Sequence, residues 1–216
     1  MVLGTSGPAS AASYRNSLAT HDASRWLAVI SAFSLPKAAP AMGDRTIAFI
    51  GSSSIGMWTT LSDDFPEQTV VRRGFGGSQL ADLVIHFESL ALPSQPRQIV
   101  VYAGANDLTV GKPPEIVLGD FVALVEKIRE AMPRTKVTFI SIAPNPGRWG
   151  WVEHVKSANR LIERYCDENG LTFVDVFSQM LGPDGQPLPD IYLPDQVHMN
   201  AKGYALWCEV LRPYLR

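Results

Sequence analysis

The stretch Ile47-Ala48-Phe49-Ile50-Gly51-Ser52-Ser53-Ser54-Ile55-Gly56 runs four apolar residues straight into glycine and three serines. A short, wholly apolar run predicts a strand buried on both faces, which is the habit of parallel sheets. The small residues behind it predict a tight turn at the strand's carboxyl end. In open α/β sheets, sites form outside the carboxyl ends of the strands. A serine at such a turn, beside a helix N-terminus, is a candidate nucleophile. Its hydroxyl reaches outward, and neighbouring backbone N–H groups can face a developing anion. A plain serine N-cap would also account for the turn.

Working outward, the same alternation recurs. Val70-Val71 predicts a second strand, which ends in Arg72-Arg73-Gly74-Phe75-Gly76-Gly77-Ser78. Leu80, Leu83, Phe87 and Leu90 follow at helical spacing, with Ser78 as the expected cap. Ile99-Val100-Val101-Tyr102 leads into Ala103-Gly104-Ala105-Asn106-Asp107. Leu118, Phe121, Val122, Val125, Ile128 and Met132 then mark one face of a helix that Pro133 ends. Val137–Ile140 runs into a loop holding Arg148 and Trp149, and a helix is expected from Val152 to Cys166. Leu171–Val174 predicts the fifth strand. Leu181–Pro194 is an irregular loop, and a last helix begins at Asn200. Five strands alternating with helices predict a parallel sheet covered on both faces. Right-handed crossovers put every strand-to-helix turn on one edge. Ser53, the Gly74–Gly77 loop, Asn106 and the Arg148-Trp149 loop are therefore expected to converge.

Composition narrows the function classes. The chain has 216 residues, 46% hydrophobic and 19% charged, with a formal charge of −2. That suits one ordinary globular domain and offers no electrostatic footprint for nucleic acid. Residues 1–20 are expected to be a flexible tail, and 21–216 one domain that includes an N-terminal helix over His21–Phe33. A linker is expected over Ser34–Gly43. Cys166 and Cys208 match no metal spacing and read as buried thiols. No apolar run reaches membrane-spanning length. The start of the chain lacks the basic and apolar segments of a signal peptide, so a cytoplasmic location is expected. The glycines at 74–77 fit neither the dinucleotide nor the phosphate-loop pattern.

A serine nucleophile needs a base, and the base needs an orienting partner. His21, His86 and His154 fall where structural roles are expected. His198 differs: it lies in Asp195-Gln196-Val197-His198, between a loop and the last helix. Residues three apart in a turn can meet, so Asp195 can hold Nδ1 of His198 and leave Nε2 for Ser53.

Gly51-Ser52-Ser53-Ser54, Gly74-Phe75-Gly76-Gly77, Gly104-Ala105-Asn106-Asp107 and Asp195-Gln196-Val197-His198 occur in the order and rough spacing of the SGNH (GDSL-type) hydrolases. The chain resembles that family from about Ile47 to Leu215. The resemblance implies a three-layer, flavodoxin-like fold with a five-stranded parallel sheet, and ester hydrolysis without metal or organic cofactor. It puts the nucleophile on Ser53 and its partners on Asp195 and His198. It puts the oxyanion donors on the backbone of Ser53, the backbone of Gly77 and the side chain of Asn106, with Gly76 the nearest competitor to Gly77. One departure is Ser52, which stands where the family's Gly-Asp-Ser has its aspartate; Gly-Ser-Ser-Ser marks a subset of the family.

The expected function is that of a serine esterase on short-chain acyl or acetyl esters. Its substrate is a small-molecule ester, bordered by Arg148 and Trp149, and homo-oligomers are allowed. Two alternatives remain. One is a carbohydrate-binding or carbohydrate-deacetylating role, in which Trp58, Trp149 and Trp151 stack on sugar rings; packing in the core or on crossovers is the favoured reading of these tryptophans. The other is a flavodoxin-like module that binds a small ligand without chemistry.

Overall fold

The computed structural model describes residues 18–34 and 45–215. The expected tail up to residue 17 and the linker beyond Ser34 lie outside them. Leu18 packs against the core, so the described chain is already anchored before His21. A 3₁₀ turn at Ser24–Trp26 leads into helix α1 (Leu27–Ser34), shorter than the helix expected from His21.

Five parallel strands form one sheet: β1 (Thr46–Gly51), β2 (Thr69–Gly74), β3 (Gln98–Tyr102), β4 (Lys136–Ile140) and β5 (Thr172–Val174). Their order is β2-β1-β3-β4-β5, and every pairing is parallel. The chain steps from β1 to β2 on one side, then returns to build β3, β4 and β5 on the other. The winding thus reverses between β1 and β3, where α/β sheets open a crevice.

All six residues of β1 are buried. Ala48 and Ile50 point into one core, Ile47 and Phe49 into the other. That period of two, with both faces covered, is why the run carries no polar residue. The first core packs under helices α4 (Leu80–Ile85), α5 (Phe87–Ala91), α7 (Pro114–Ala131) and α8 (Val152–Glu168). The second packs under the short helices α2 (Ser53–Gly56) and α3 (Leu61–Asp64) and the last helix α9 (Ala201–Leu211). One short helix, α6 (Ala105–Thr109), follows β3 directly.

Trp58 belongs to the second core. It is fully buried among Phe49, Phe65, Tyr204 and Trp207, and its indole N–H donates to Asp64. It is closed to a sugar ring, so the core packing favoured for it from the sequence is what forms there. Truncating such a residue to alanine costs about 3–5 kcal/mol. The expected cap at Ser78 is also corrected: Gln79 caps α4, in a reciprocal capping box with Asp82. Ser78 instead donates its hydroxyl to the Gly51 carbonyl, tying the glycine loop to the end of β1. Both cysteines are buried free thiols, as expected. No helix among the described residues is long and apolar enough to cross a membrane.

Candidate active site

Ser53 is the first residue of α2, directly beyond β1. Gly51 fits there because a Cβ on it would overlap the Tyr102 carbonyl of the neighbouring strand. The same carbonyl accepts from Ser52 N–H at 3.0 Å, which locks the turn to β3. The Ser53 N–H lies in the first turn of a helix, where no intrahelical acceptor exists for it. From the far side, Tyr204 on α9 donates to the Ser54 carbonyl.

The Ser53 hydroxyl lies 2.9 Å from His198 Nε2, and His198 Nδ1 lies 2.6 Å from Asp195 Oδ2. The carboxylate can only accept, so it draws the imidazole proton to Nδ1 and leaves Nε2 as acceptor for the serine O–H. Asp195 Oδ1 accepts the backbone N–H groups of Val197 and His198 at 3.0 and 2.9 Å. These bonds, the His198 ring first among them, hold the Asp195 carboxyl down at about 2. The turn closes through Gln196, whose φ of +60° is left-handed and costs a non-glycine residue about 1–2 kcal/mol. Asn200 then caps α9 with its side-chain oxygen and donates its Nδ2 back to Asp190 and Tyr192. The histidine is thereby fixed between a capped helix and a closed turn.

Asn106 comes from α6, beyond β3, and lines the same cleft as Ser53 and His198, a space of about 260 Å³. Its Nδ2 donates to the Ser78 carbonyl at 2.9 Å, and its Oδ1 accepts from Arg148 at 3.0 Å. Its neighbour Asp107 is fully buried. It accepts from Leu80 N–H at the start of α4 and from the Lys112 ammonium, which also reaches Asp120. Burial pushes Asp107 up to about 6 against the pull of Lys112. Burial alone would lower Lys112, but the two aspartates outweigh it and raise it.

Arg148 and Trp149 lie on the 3₁₀ segment Pro146–Trp151 after β4. Both line a narrow apolar pocket that shares Ala105, Asn145 and Arg148 with the cleft. Leu108, Trp151, Val155 and Phe177 complete much of its wall. A wider depression beside Arg97 and Arg134 lies at the opposite edge of the sheet, far from Ser53.

Gly77 is not among the residues that line the cleft. It sits in a left-handed turn (φ +77°) under the Trp26 ring, and its carbonyl accepts from Arg25. Gly76, the competitor, has open space around it and does not line the cleft either. The N-terminal segment crowds this loop: His21 bonds Asp82 at 2.8 Å and His86 bonds the Ala23 carbonyl. Sequence reasoning missed Asn145 as a lining residue and the Arg148–Asn106 bond, since neither has a motif. No group of three histidine, cysteine or carboxylate side chains among the described residues is placed to hold a metal ion.

The profile of the GDSL-like lipase/acylhydrolase family matches residues 41–206. The chain belongs to that family. The GDSL-like fold is shared with solved structures. A GDSL-like lipase from Bacteroides thetaiotaomicron superposes with a TM-score of 0.73 at 21% identity, covering 90% of this chain and 97% of that one. A lipase/acylhydrolase from Enterococcus faecalis gives 0.66 at 17% identity, over 80% and 97%. An acetyl xylan esterase gives 0.68 at 19% identity, over 79% and 100%. No curated protein matches the sequence.

Proposed function

We propose that this GDSL-like hydrolase is a serine esterase acting on short-chain acyl or acetyl esters through an acyl-enzyme. The observation that carries the reading is the continuous chain from Ser53 Oγ through His198 to Asp195, at 2.9 and 2.6 Å. As Ser53 attacks the ester carbonyl, its proton passes to His198 Nε2. Asp195 steadies the imidazolium, and the carbonyl π electrons move onto oxygen. The tetrahedral anion is stabilised by the Ser53 N–H and by the Asn106 N–H not engaged with Ser78. One such donor is worth about 3–4 kcal/mol. Collapse expels the alcohol, which takes the proton from His198. Water, deprotonated by the same histidine, then releases the acid and restores Ser53.

The narrow pocket beside the cleft supports a short chain: its walls are apolar and it leaves little room. A carbohydrate ester is the second reading. Trp149 and Trp151 border that pocket, and one structural neighbour is an acetyl xylan esterase. Hydrolysis of nitrophenyl esters of two to twelve carbons, beside acetylated sugars, tests both. The reading expects turnover concentrated at two to four carbons and abolished in Ser53→Ala. Equal rates in wild type and Ser53→Ala would overturn it.

A further inference from the structure

The Asn106 carboxamide is held at both ends. Its Nδ2 donates to the Ser78 carbonyl, and its Oδ1 accepts from the Arg148 guanidinium. A guanidinium has no acceptor and a carbonyl oxygen no donor, so these partners dictate which end of the amide is which. One N–H goes to Ser78 and one is left over. With the amide turned round, Oδ1 would meet the Ser78 carbonyl and Nδ2 the guanidinium. Neither contact can form a hydrogen bond.

The arm that supplies the guanidinium is itself fixed. Gly147 N–H donates to the Gln196 carbonyl at 2.8 Å, and Tyr192 donates its hydroxyl to the Pro144 carbonyl at 2.7 Å. A Cβ on Gly147 would lie 2.9 Å from Val197 Cγ2, 3.1 Å from Gln196 O and 3.2 Å from Asp195 O, so only glycine allows this approach. At Arg148 the backbone breaks from helical geometry (φ −128°, ψ 24°). Among the described residues no carboxylate stands within ion-pair distance of Arg148. Its recorded bond goes to Asn106.

We propose that Arg148 is a positioning residue that acts through Asn106: it orients the carboxamide so that the remaining N–H faces the oxyanion, and polarises it. This differs from a substrate-binding arginine, and it rests on the esterase reading above. A cation on the amide oxygen draws electron density from the amide nitrogen and strengthens its N–H as donor. That gain grows as charge develops on the substrate carbonyl, so it belongs to the transition state and to kcat. The arm also joins two halves of the site, because the Gly147 bond fastens Arg148 to the Asp195–His198 turn.

The test is a double-mutant cycle on nitrophenyl acetate with Arg148→Met, Arg148→Lys, Asn106→Ala and the Asn106→Ala/Arg148→Met pair. Arg148→Met is expected to lower kcat about tenfold with KM unchanged, a part of what loss of the whole donor costs. Arg148→Lys, which can still donate to Oδ1, is expected to restore part of it and serves if the methionine variant folds poorly. In the Asn106→Ala background, Arg148→Met is expected to change kcat by less than about twofold. The same fold loss in both backgrounds, or a rise in KM alone, would overturn the proposal. Ser53→Ala separates the two levels. Full activity there overturns the esterase reading and this inference with it. A dead Ser53→Ala beside an additive cycle overturns this inference alone.

Discussion

Asp195 and Asp107 each stand behind a residue that lines the cleft, Asp195 against His198 and Asp107 next to Asn106, yet their surroundings push the same side chain in opposite directions. Asp195 is about half exposed, and the His198 ring and two backbone N–H groups keep it down at about 2. Asp107 has no exposure and is raised to about 6, chiefly by burial, even with Lys112 on it. The first stays charged beside His198, the base of the proposed reaction. The second clamps α6 to the start of α4 through Leu80 N–H and so sets where its neighbour Asn106 stands. Both aspartates sit in the blocks by which the chain resembles its family. Environment, not motif membership, divides catalysis from scaffolding.

The sharpest way to break that contrast is to neutralise each in turn. Asp195→Asn is expected to lower kcat about 10³–10⁴-fold, because the amide cannot hold the imidazole in the right tautomer or steady its charge. With the carboxylate half exposed, and the amide oxygen able to keep the turn bonds to Val197 and His198, the melting temperature should fall only slightly. Paired kinetics and thermal melts check this; a large fall in Tm with kcat retained would make Asp195 structural.

Asp107→Ala is expected to do the reverse. It leaves Leu80 N–H and one Lys112 contact without an acceptor, at a cost of about 1–3 kcal/mol. For a chain of this size that lowers Tm by roughly 2–4 °C per kcal/mol, with a loss of kcat far smaller than that of Asp195→Asn, since Asn106 keeps its bonds to Ser78 and Arg148. The pH dependence sharpens the point. Asp107 has a folded value of about 6, above its ordinary 3.8. As pH rises from about 4 to 6, the unfolded chain releases that proton first, so this group's contribution to stability is lost across that window. For Asp195 the folded value is about 2, below 3.8. Its contribution is present above about 4 and lost as pH falls toward 2. Asp107→Asn should flatten the first slope alone, as read from urea unfolding at pH 4, 5 and 6. An unchanged slope would contradict the role given to burial.

Much of this was legible in the sequence, and the limits have physical causes. The apolar run Ile47–Ile50 announced a doubly covered strand, and five repeats of strand and turn pointed to a parallel sheet with its turns on one edge. Ser53 and Asn106 lie at that edge because they follow β1 and β3 directly; His198, beyond the irregular loop after β5, is singled out instead by Asp195 and the family pattern. The Asp195–His198 contact is local, three residues apart, so it too could be read from the chain. The Arg148–Asn106 bond joins residues 42 apart through a flexible side chain, and nothing in the local pattern encodes it. Trp58 left two readings open, with core packing favoured, because a tryptophan after a turn looks alike whether it faces solvent or folds back over β1; it folds back. The Ser78 cap failed because Asp82, three residues after Gln79, completes a capping box one position further on.

A smaller effect is expected at Trp149, which lines the apolar pocket rather than the proton path. Trp149→Ala should shift relative kcat/KM along an ester series by about 10-fold, in the range that pocket contacts discriminate chain length. Equal losses for every ester, with a large fall in Tm, would make Trp149 an anchor of its loop.

The central claim is that Ser53 is a nucleophile activated through His198 and Asp195. Covalent labelling by a serine-reactive phosphonate, read by intact mass and peptide mapping, tests it most directly. One adduct on the peptide carrying Ser53 is expected, absent in Ser53→Ala and markedly slowed in His198→Ala. An adduct on Ser52 or Ser54 instead, or none at any time point, would contradict it.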